Sequence, residues 1–441
     1  MNPTTLNQLI ASFANDSRLA ICYDDQRLSF AELAEQVALE QQRFQNQGLC
    51  NGDILLLPVH KQAKNVILLL AALSTASATL VYPKLMPEQR LAELQQHATV
   101  FMNTDGNLVR LQTPAPALSQ QNDPLLGVLS SGSTGEPKRI WHRVSHFLAS
   151  AQASNQVLPL TTSGFSLLSL PLNHVGGLGV IFRALINLSA ILFDVAADDI
   201  TTYQQHDIQR VSLVPTQLQR LLQQTTFVPA TQVLLGGAPI PDSLLTQARE
   251  LGWHIHRSYG LSEMASQVIT EIAPNQWQVL PHSDIKVVDY ELWVRGGSLC
   301  LGYGDPSQLI TPFVDGWFPT KDLVYFGDNH FRFIGRRDNQ FISGGENVCP
   351  ENIEQQFVNA MLVDNIVVLP KTHEHWGMQT VAIVEVKTGI ELQQLIAFGQ
   401  QHLLPHEQPR HYYAWQQPNG LKVQRAQLIE QVNNNDLEEL T

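Results

Sequence analysis

At 441 residues the chain exceeds what one simple core accommodates, so two or three domains are expected. The formal net charge of −13 excludes a general affinity for nucleic acid or anionic membrane, so any anionic ligand must be held by a local site. The 44% hydrophobic and 15% charged content is ordinary for a globular enzyme, and Cys22, Cys50, Cys300 and Cys349 form no C-x-x-C pair or Cys/His cluster, which fits a reduced, cytoplasmic setting.

Residues 1–20 lack a basic start followed by an apolar core, so no signal peptide is expected. Ser29 with Glu32 three residues on forms a capping box for an amphipathic helix over Phe30–Gln45, and Ile54–Val59 reads as a strand. The most apolar stretch, Val66–Val81, is interrupted by Ser74, Thr75, Ser77 and Thr79 and followed by Pro83. It reads as a buried helix running into a strand, with no insertion into a membrane.

The apolar Leu125–Leu129 then runs into Ser130-Ser131-Gly132-Ser133-Thr134-Gly135-Glu136-Pro137-Lys138. Glycines let backbone N–H groups turn inward, hydroxyls add donors and Lys138 adds a point charge, which together cradle phosphate oxygens. Pro137 before the lysine excludes a Walker A loop, and a plain Ser/Gly surface loop is the competing reading. From 125 to about 290, short strands at Ser166–Leu170, Ala190–Phe193, Val211–Val214 and Gln232–Leu235 alternate with helices such as Thr216–Gln224 and Pro241–Leu251. That alternation predicts βα units in a largely parallel sheet. Ile285–Val288, Glu291–Arg295 and His330–Ile334 predict a small antiparallel or barrel-like unit. Gly335 to Asn347 reads as an inter-domain junction. An α+β tail follows, with helices over Ile353–Asn359 and Leu392–His402, strands over Ile366–Pro370 and Thr380–Val386, and a frayed end from Asn433 onward.

Further short motifs recur in order: Gly236-Gly237-Ala238-Pro239, Tyr259-Gly260-Leu261-Ser262-Glu263, Trp317-Phe318-Pro319-Thr320-Lys321-Asp322, Gly335-Arg336-Arg337-Asp338, Ser343-Gly344-Gly345-Glu346, and Asn419-Gly420-Leu421-Lys422-Val423-Gln424-Arg425. Each alone is weak. In joint order and spacing, from about residue 10 to about 430, the chain resembles the adenylate-forming superfamily of acyl-CoA synthetases, luciferases and peptide-synthetase adenylation domains.

The resemblance implies an α/β fold. A large N-terminal domain (1–337) would hold α/β subdomains with mostly parallel sheets and a small β-barrel-like unit, and a small mobile α+β C-terminal domain (338–441) would turn about Asp338. It implies joining of a carboxylate to AMP with loss of pyrophosphate, then transfer of the acyl group to a thiol. ATP and CoA would be co-substrates and Mg2+ the cofactor. The first step needs two anions held together and their charge neutralised.

By motif, Ser130, Ser131, Gly132, Ser133, Thr134, Gly135 and Lys138 resemble the phosphate loop, and Glu263 the magnesium ligand. Ser262 stands where relatives usually carry Thr, to donate to the α-phosphate. Tyr259, beside Gly260, would pack on adenine, with Gly237 and Ala238 giving close backbone approach. Asp322 would accept the ribose hydroxyls and Arg336 would reach the same sugar; Lys321 stands where many relatives have Gly. Lys422 matches the mobile catalytic lysine, although Leu421 separates it from Gly420. Ser343, Gly344 and Gly345 would line the path of the CoA arm.

His174, in Leu170-Pro171-Leu172-Asn173-His174-Val175, matches the gate beside the acyl pocket. Arg183, inside an apolar run, either pairs with an acid elsewhere in the protein or faces the acyl pocket and pairs with a second substrate carboxylate. The stretches Ser169–Val175, Ser212–Leu222 and Val233–Pro241 resemble the 2-succinylbenzoate–CoA ligases of bacterial menaquinone biosynthesis. Gln278–Asp284 departs from the relatives' Gly-Lys-Pro-Leu-Pro-Gly. The implied partners are the small molecules ATP, CoA and 2-succinylbenzoate, with neither nucleic acid nor membrane, and a homo-oligomer is compatible. Three rivals remain open: another aryl- or medium-chain acyl-CoA ligase, a stand-alone enzyme loading a carrier protein, and a nucleotide-binding regulator without catalysis.

Overall fold

The computed structural model describes residues 5–24, 26–76, 78–114, 123–131, 137–160, 164–224, 230–374, 377–416 and 424–440. Ser29 accepts from the Glu32 amide while the Glu32 carboxylate reaches back to the Ser29 amide, so the helix Phe30–Asn46 starts on the expected capping box. The apolar stretch after it forms a buried helix, Ala63–Leu73, and a buried strand, Ala78–Pro83. Ser74 and Thr75 cost little there, because their hydroxyls donate back to the Leu70 and Ala71 carbonyls, whereas the Thr79 hydroxyl is buried without a partner. No helix of the described residues is long and apolar enough to cross a membrane.

Two large sheets carry the first three-quarters of the chain. In the nine-stranded sheet, Leu19–Tyr23, Ala190–Leu192, Phe165–Leu167, Ile208–Leu213, Gln232–Gly236 and His254–Leu261 lie parallel in that order. Antiparallel strands flank them: Gln26–Ser29 at one end, Ser266–Ala273 and then Gln276–Val279 at the other. The eight-stranded sheet has a parallel centre of Leu125–Ser131, Ala78–Pro83, Ile54–Val59 and Val100–Met102. Pro137–Arg143 extends it antiparallel to Leu125–Ser131. The strand expected over Ser166–Leu170 is shorter, Phe165–Leu167. Its parallel neighbour ends at Leu192, and the Ser169 amide turns back onto the Leu167 carbonyl.

Helices Ala63–Leu73, Val144–Val157 and Val175–Asn187 share one buried core with both sheets. The barrel-like unit is a four-stranded antiparallel sheet of Ser283–Val288, Glu291–Gly296, Phe318–Gly327 and His330–Arg336, paired in that order. Toward the C-terminus a separate core forms around the sheet of Val363–His373, Gly377–Val386 and Tyr412–Ala414, with helices Pro350–Asn359, Leu392–His402 and Arg425–Asn434. The terminal segment expected to fray is instead tied down. Asn433 accepts from the Thr372 amide, Asn435 from Lys371, and Tyr413 bridges to Glu439. Asn433 caps an edge amide of strand Val363–His373 and Asn435 holds the ammonium of its Lys371, which a compositional reading takes for solvent-facing polarity.

Candidate active site

The carboxyl ends of parallel strands carry Ser130, Ser131 and Tyr259 and lead into Gly237 and Ala238, which is where open α/β sheets bind ligands, while Lys138, Asp322 and Arg336 come from antiparallel strands. Ser130 and Ser131 end one such strand and pair directly with Lys138 and Pro137. Gly132, Ser133, Thr134, Gly135 and Lys422 lie outside the described residues. The Lys138 ammonium stands 5.2 Å from the Tyr303 ring centre, and the Tyr303 hydroxyl donates to Glu263 Oε1 at 2.9 Å. Tyr303 therefore links the candidate phosphate-binding hairpin to the metal-ligand candidate. Burial and the Glu263 charge raise its hydroxyl pKa far above the usual tyrosine range.

Glu263 is carried on a single 3-10 turn, Ser262–Met264, between strands His254–Leu261 and Ser266–Ala273. Two contacts fix that turn from outside. The buried His142 donates from Nε2 to the Ser262 carbonyl at 2.8 Å, and the Cys300 amide donates to the Glu263 carbonyl at 2.7 Å. Gly260, just before the turn, passes so close to Ser266 that a Cβ would lie 1.9 Å from its carbonyl oxygen, so no side chain fits there.

Gly237, at φ +80, and Ala238 are exposed at the end of strand Gln232–Gly236, beside the parallel strand that carries Tyr259. The expectation for Tyr259 was packing on adenine; here its ring rests on Phe331 at 5.0 Å and its hydroxyl donates to Asp322 Oδ2 at 2.6 Å. Arg336 Nη1 donates to Asp322 Oδ1 at 2.8 Å, while its Nε and Nη2 donate to Asp338 at 2.9 and 3.1 Å. Burial pushes the Asp322 carboxyl above its ordinary value despite Arg336. Asp338 stays below its ordinary value: burial pushes it up, but the Arg336 hydrogen bonds and the Arg336 and Lys321 charges together outweigh that. Lys321 sits at φ +63, a conformation that glycine adopts without strain, with its amide on Glu291 and its ammonium 3.7 Å from Asp338.

His174 precedes the helix Val175–Asn187 at its N-cap position, exposed and with no side-chain capping bond. Arg183, two turns in, is buried at 4% exposure. Its Nη1 donates to Gln267 Oε1 and its Nη2 to Ser212 Oγ, each at 3.2 Å, and its Nε has no partner. The acid partner considered from sequence is absent among the described residues, and burial lowers the guanidinium pKa to about 10. Gly179 makes room for it: a Cβ there would lie 2.9 Å from Arg183 Nη1. Ser343 with Gly344 and Gly345 forms the turn of a separate hairpin, Phe341–Ser343 with Glu346–Val348, away from this cluster.

Lys138, Glu263, Tyr259, Asp322, Arg336 and Asp338 are thus brought together. Tyr303, His142 and Gln267 were missed from sequence, because each acts through contacts with distant residues: Tyr303 with Glu263 40 residues away, His142 with Ser262 120 away and Gln267 with Arg183 84 away.

The fold and the site define the class, an AMP-binding enzyme: the AMP-binding enzyme family model matches residues 93–303. A 2-succinylbenzoate–CoA ligase of Haemophilus influenzae is 32% identical over 434 residues, covering 93% of this chain and 94% of its own length. One from Escherichia coli is 32% identical over 390 residues, covering 83% and 84%. Among solved structures, a variant of E. coli MenE with bound OSB-AMS superposes with a TM-score of 0.82 at 28% identity, covering 98% of this chain and 99% of that one. The chain belongs to the 2-succinylbenzoate–CoA ligase family.

Proposed function

We propose that this protein is an AMP-forming acid–thiol ligase. It joins 2-succinylbenzoate to CoA, with ATP converted to AMP and pyrophosphate, through an acyl-adenylate in the cytoplasm. Activation is needed because hydroxide is a poor leaving group and AMP a good one. The observation that supports a substrate with a second carboxylate is Arg183, a buried cation held only by neutral groups with one N–H unpaired. The succinyl carboxylate would be activated, leaving the ring carboxylate for Arg183, with His174 at the entrance.

Ser130, Ser131, Gly132, Ser133, Thr134, Gly135 and Lys138 would hold the β- and γ-phosphates, and Ser262 the α-phosphate. Asp322 and Arg336 would hold the ribose, with Gly237, Ala238, Tyr259 and Gly260 beside the base. Lys422 would bridge the attacking carboxylate and the α-phosphate, where two anions meet. Glu263 offers a hard carboxylate oxygen beside the phosphate hairpin. No cluster of three or more His, Cys, Asp or Glu side chains among the described residues forms a dedicated metal cage. That suits magnesium, which takes one or two carboxylates together with substrate phosphates. When bound at Glu263, the ion would neutralise phosphate charge. The segment 338–441 would turn about Asp338 between the two half-reactions, bringing Ser343, Gly344 and Gly345 to the CoA arm.

The test is pyrophosphate release with ATP, magnesium and a panel of 2-succinylbenzoate, benzoate, octanoate and amino acids, with and without CoA. Turnover confined to 2-succinylbenzoate and completed only with CoA is expected. Turnover with a monocarboxylic acid instead would keep the reaction class and overturn the substrate.

A further inference from the structure

Arg183 is one of two buried arginines in this region. Arg210, on strand Ile208–Leu213, is 3% exposed. Both border one gap with Ser166, Val180 and Ser212, and the gap has no room for a water molecule. Neither guanidinium forms an ion pair among the described residues. Two like charges therefore border the same dry space, where Coulomb repulsion is least screened.

The two are held differently. Arg210 is engaged through all three nitrogens: Nε and Nη2 donate to Gln232 Oε1 at 3.3 and 2.9 Å, Nη1 donates to Asn155 Oδ1 at 3.2 Å, and Nη2 also meets the Leu158 carbonyl. Asn155 in turn donates to the Arg183 carbonyl at 2.9 Å, fixing Arg210 relative to the helix that carries Arg183. Arg183 has two long hydrogen bonds to neutral groups and an unpaired Nε. One cation is anchored by the fold, and the other is left short of partners.

We infer that Arg210 is a specificity-determining positioning residue: its anchored charge, sharing a gap with Arg183, biases the acyl pocket toward acids that bring a second carboxylate. This rests on the ligase reading above. A carboxylate arriving at Arg183 is attracted by both guanidiniums and relieves their repulsion. A neutral group of the same shape gains neither and leaves Arg183 short of acceptors. Arg210 need not touch the substrate, and its effect belongs in KM rather than kcat.

The experiment compares kcat/KM for 2-succinylbenzoate with that for 4-oxo-4-phenylbutanoate, the same acid without the ring carboxylate. It uses wild type, Gln232→Glu, Arg210→Gln and Arg210→Lys. Gln232→Glu matters most, because it neutralises Arg210 in place and keeps the strand's backbone pairing, at the loss only of the Gln232 Nε2 bond to the Pro159 carbonyl, even if Arg210→Gln does not fold. The wild-type preference for the diacid should fall roughly tenfold in both neutralised chains, through the diacid's KM, and stay within about threefold in Arg210→Lys. An unchanged preference in Gln232→Glu, or equal losses for both acids, would make Arg210 purely structural. A wild type indifferent to the ring carboxylate would overturn the substrate reading itself, and the inference with it.

Discussion

His142 lies behind the Glu263 turn with no exposed surface, one face toward His146 and its Nε2–H given to the Ser262 carbonyl. Burial, and then the neighbouring His146, push it down to about 3. The unfolded chain takes up this proton near pH 6.5 while the folded one refuses it. Stability is therefore undiminished above that value and is lost as pH falls from about 6.5 toward 3. Replacing His142 with Gln keeps a side-chain N–H for Ser262 and removes the titration. The fall in stability between pH 7 and pH 5 should then shrink by about 2 kcal/mol in urea unfolding. An undiminished fall would mean that His142 is charged in the fold. At this scale motifs singled out Glu263, Asp322 and Arg336, and the fold brings these residues into one cluster. It was silent for His142 and Tyr303, and it missed the Tyr259 hydroxyl bond to Asp322. Such contacts are made across elements, and no local pattern records them.

The helix Arg425–Asn434 follows directly on the Lys422 segment and is pinned at its first residue. Arg425 Nη2 meets both Glu354 oxygens at 2.7 and 2.8 Å, and its Nη1 donates to the Val368 carbonyl at 2.8 Å. Burial raises the Glu354 carboxyl above its usual value even beside Arg425, so the pair adds little net stability yet is costly to break. Glu354→Ala should destabilise this part of the protein by about 3 kcal/mol, and Glu354→Leu with Arg425→Met should recover most of it. Limited proteolysis and thermal unfolding read both; a single variant as resistant as wild type would show the pair to be dispensable. Elements themselves were largely legible. Ser29 and Glu32 announced a helix start, alternation announced the βα units, and Leu392–His402 came out as expected. Ends were less so: Phe165–Leu167 stops where its partner strand stops, a tertiary limit on a local pattern.

Across the molecule, the C-terminal part rests on the rest of the chain through specific contacts. Asn359 accepts from the Asp242 amide at 3.1 Å and donates to its carboxylate at 2.8 Å, and Gln355 donates to the Ile240 carbonyl at 3.2 Å. Each such bond is worth about 1 kcal/mol net, so these contacts favour this arrangement without locking it. Asp338→Pro should spare ATP–pyrophosphate exchange and block thioester formation; loss of both would point to misfolding instead. The family was legible from ordered motifs over nearly the whole chain. This arrangement was not, since it depends on bonds between residues 115 or 117 positions apart. Arg336 has a consequence at the same scale. One guanidinium is divided between Asp322, the proposed ribose acid, and Asp338, the proposed pivot. A sugar that draws on Asp322 alters the grip on Asp338, and linkage makes the influence reciprocal and equal in free energy. Nucleotide affinity then becomes a gauge of a rotation the nucleotide never touches: any substitution that repopulates the two poses must retune the dissociation constants of ATP and AMP, wherever in the chain it lies.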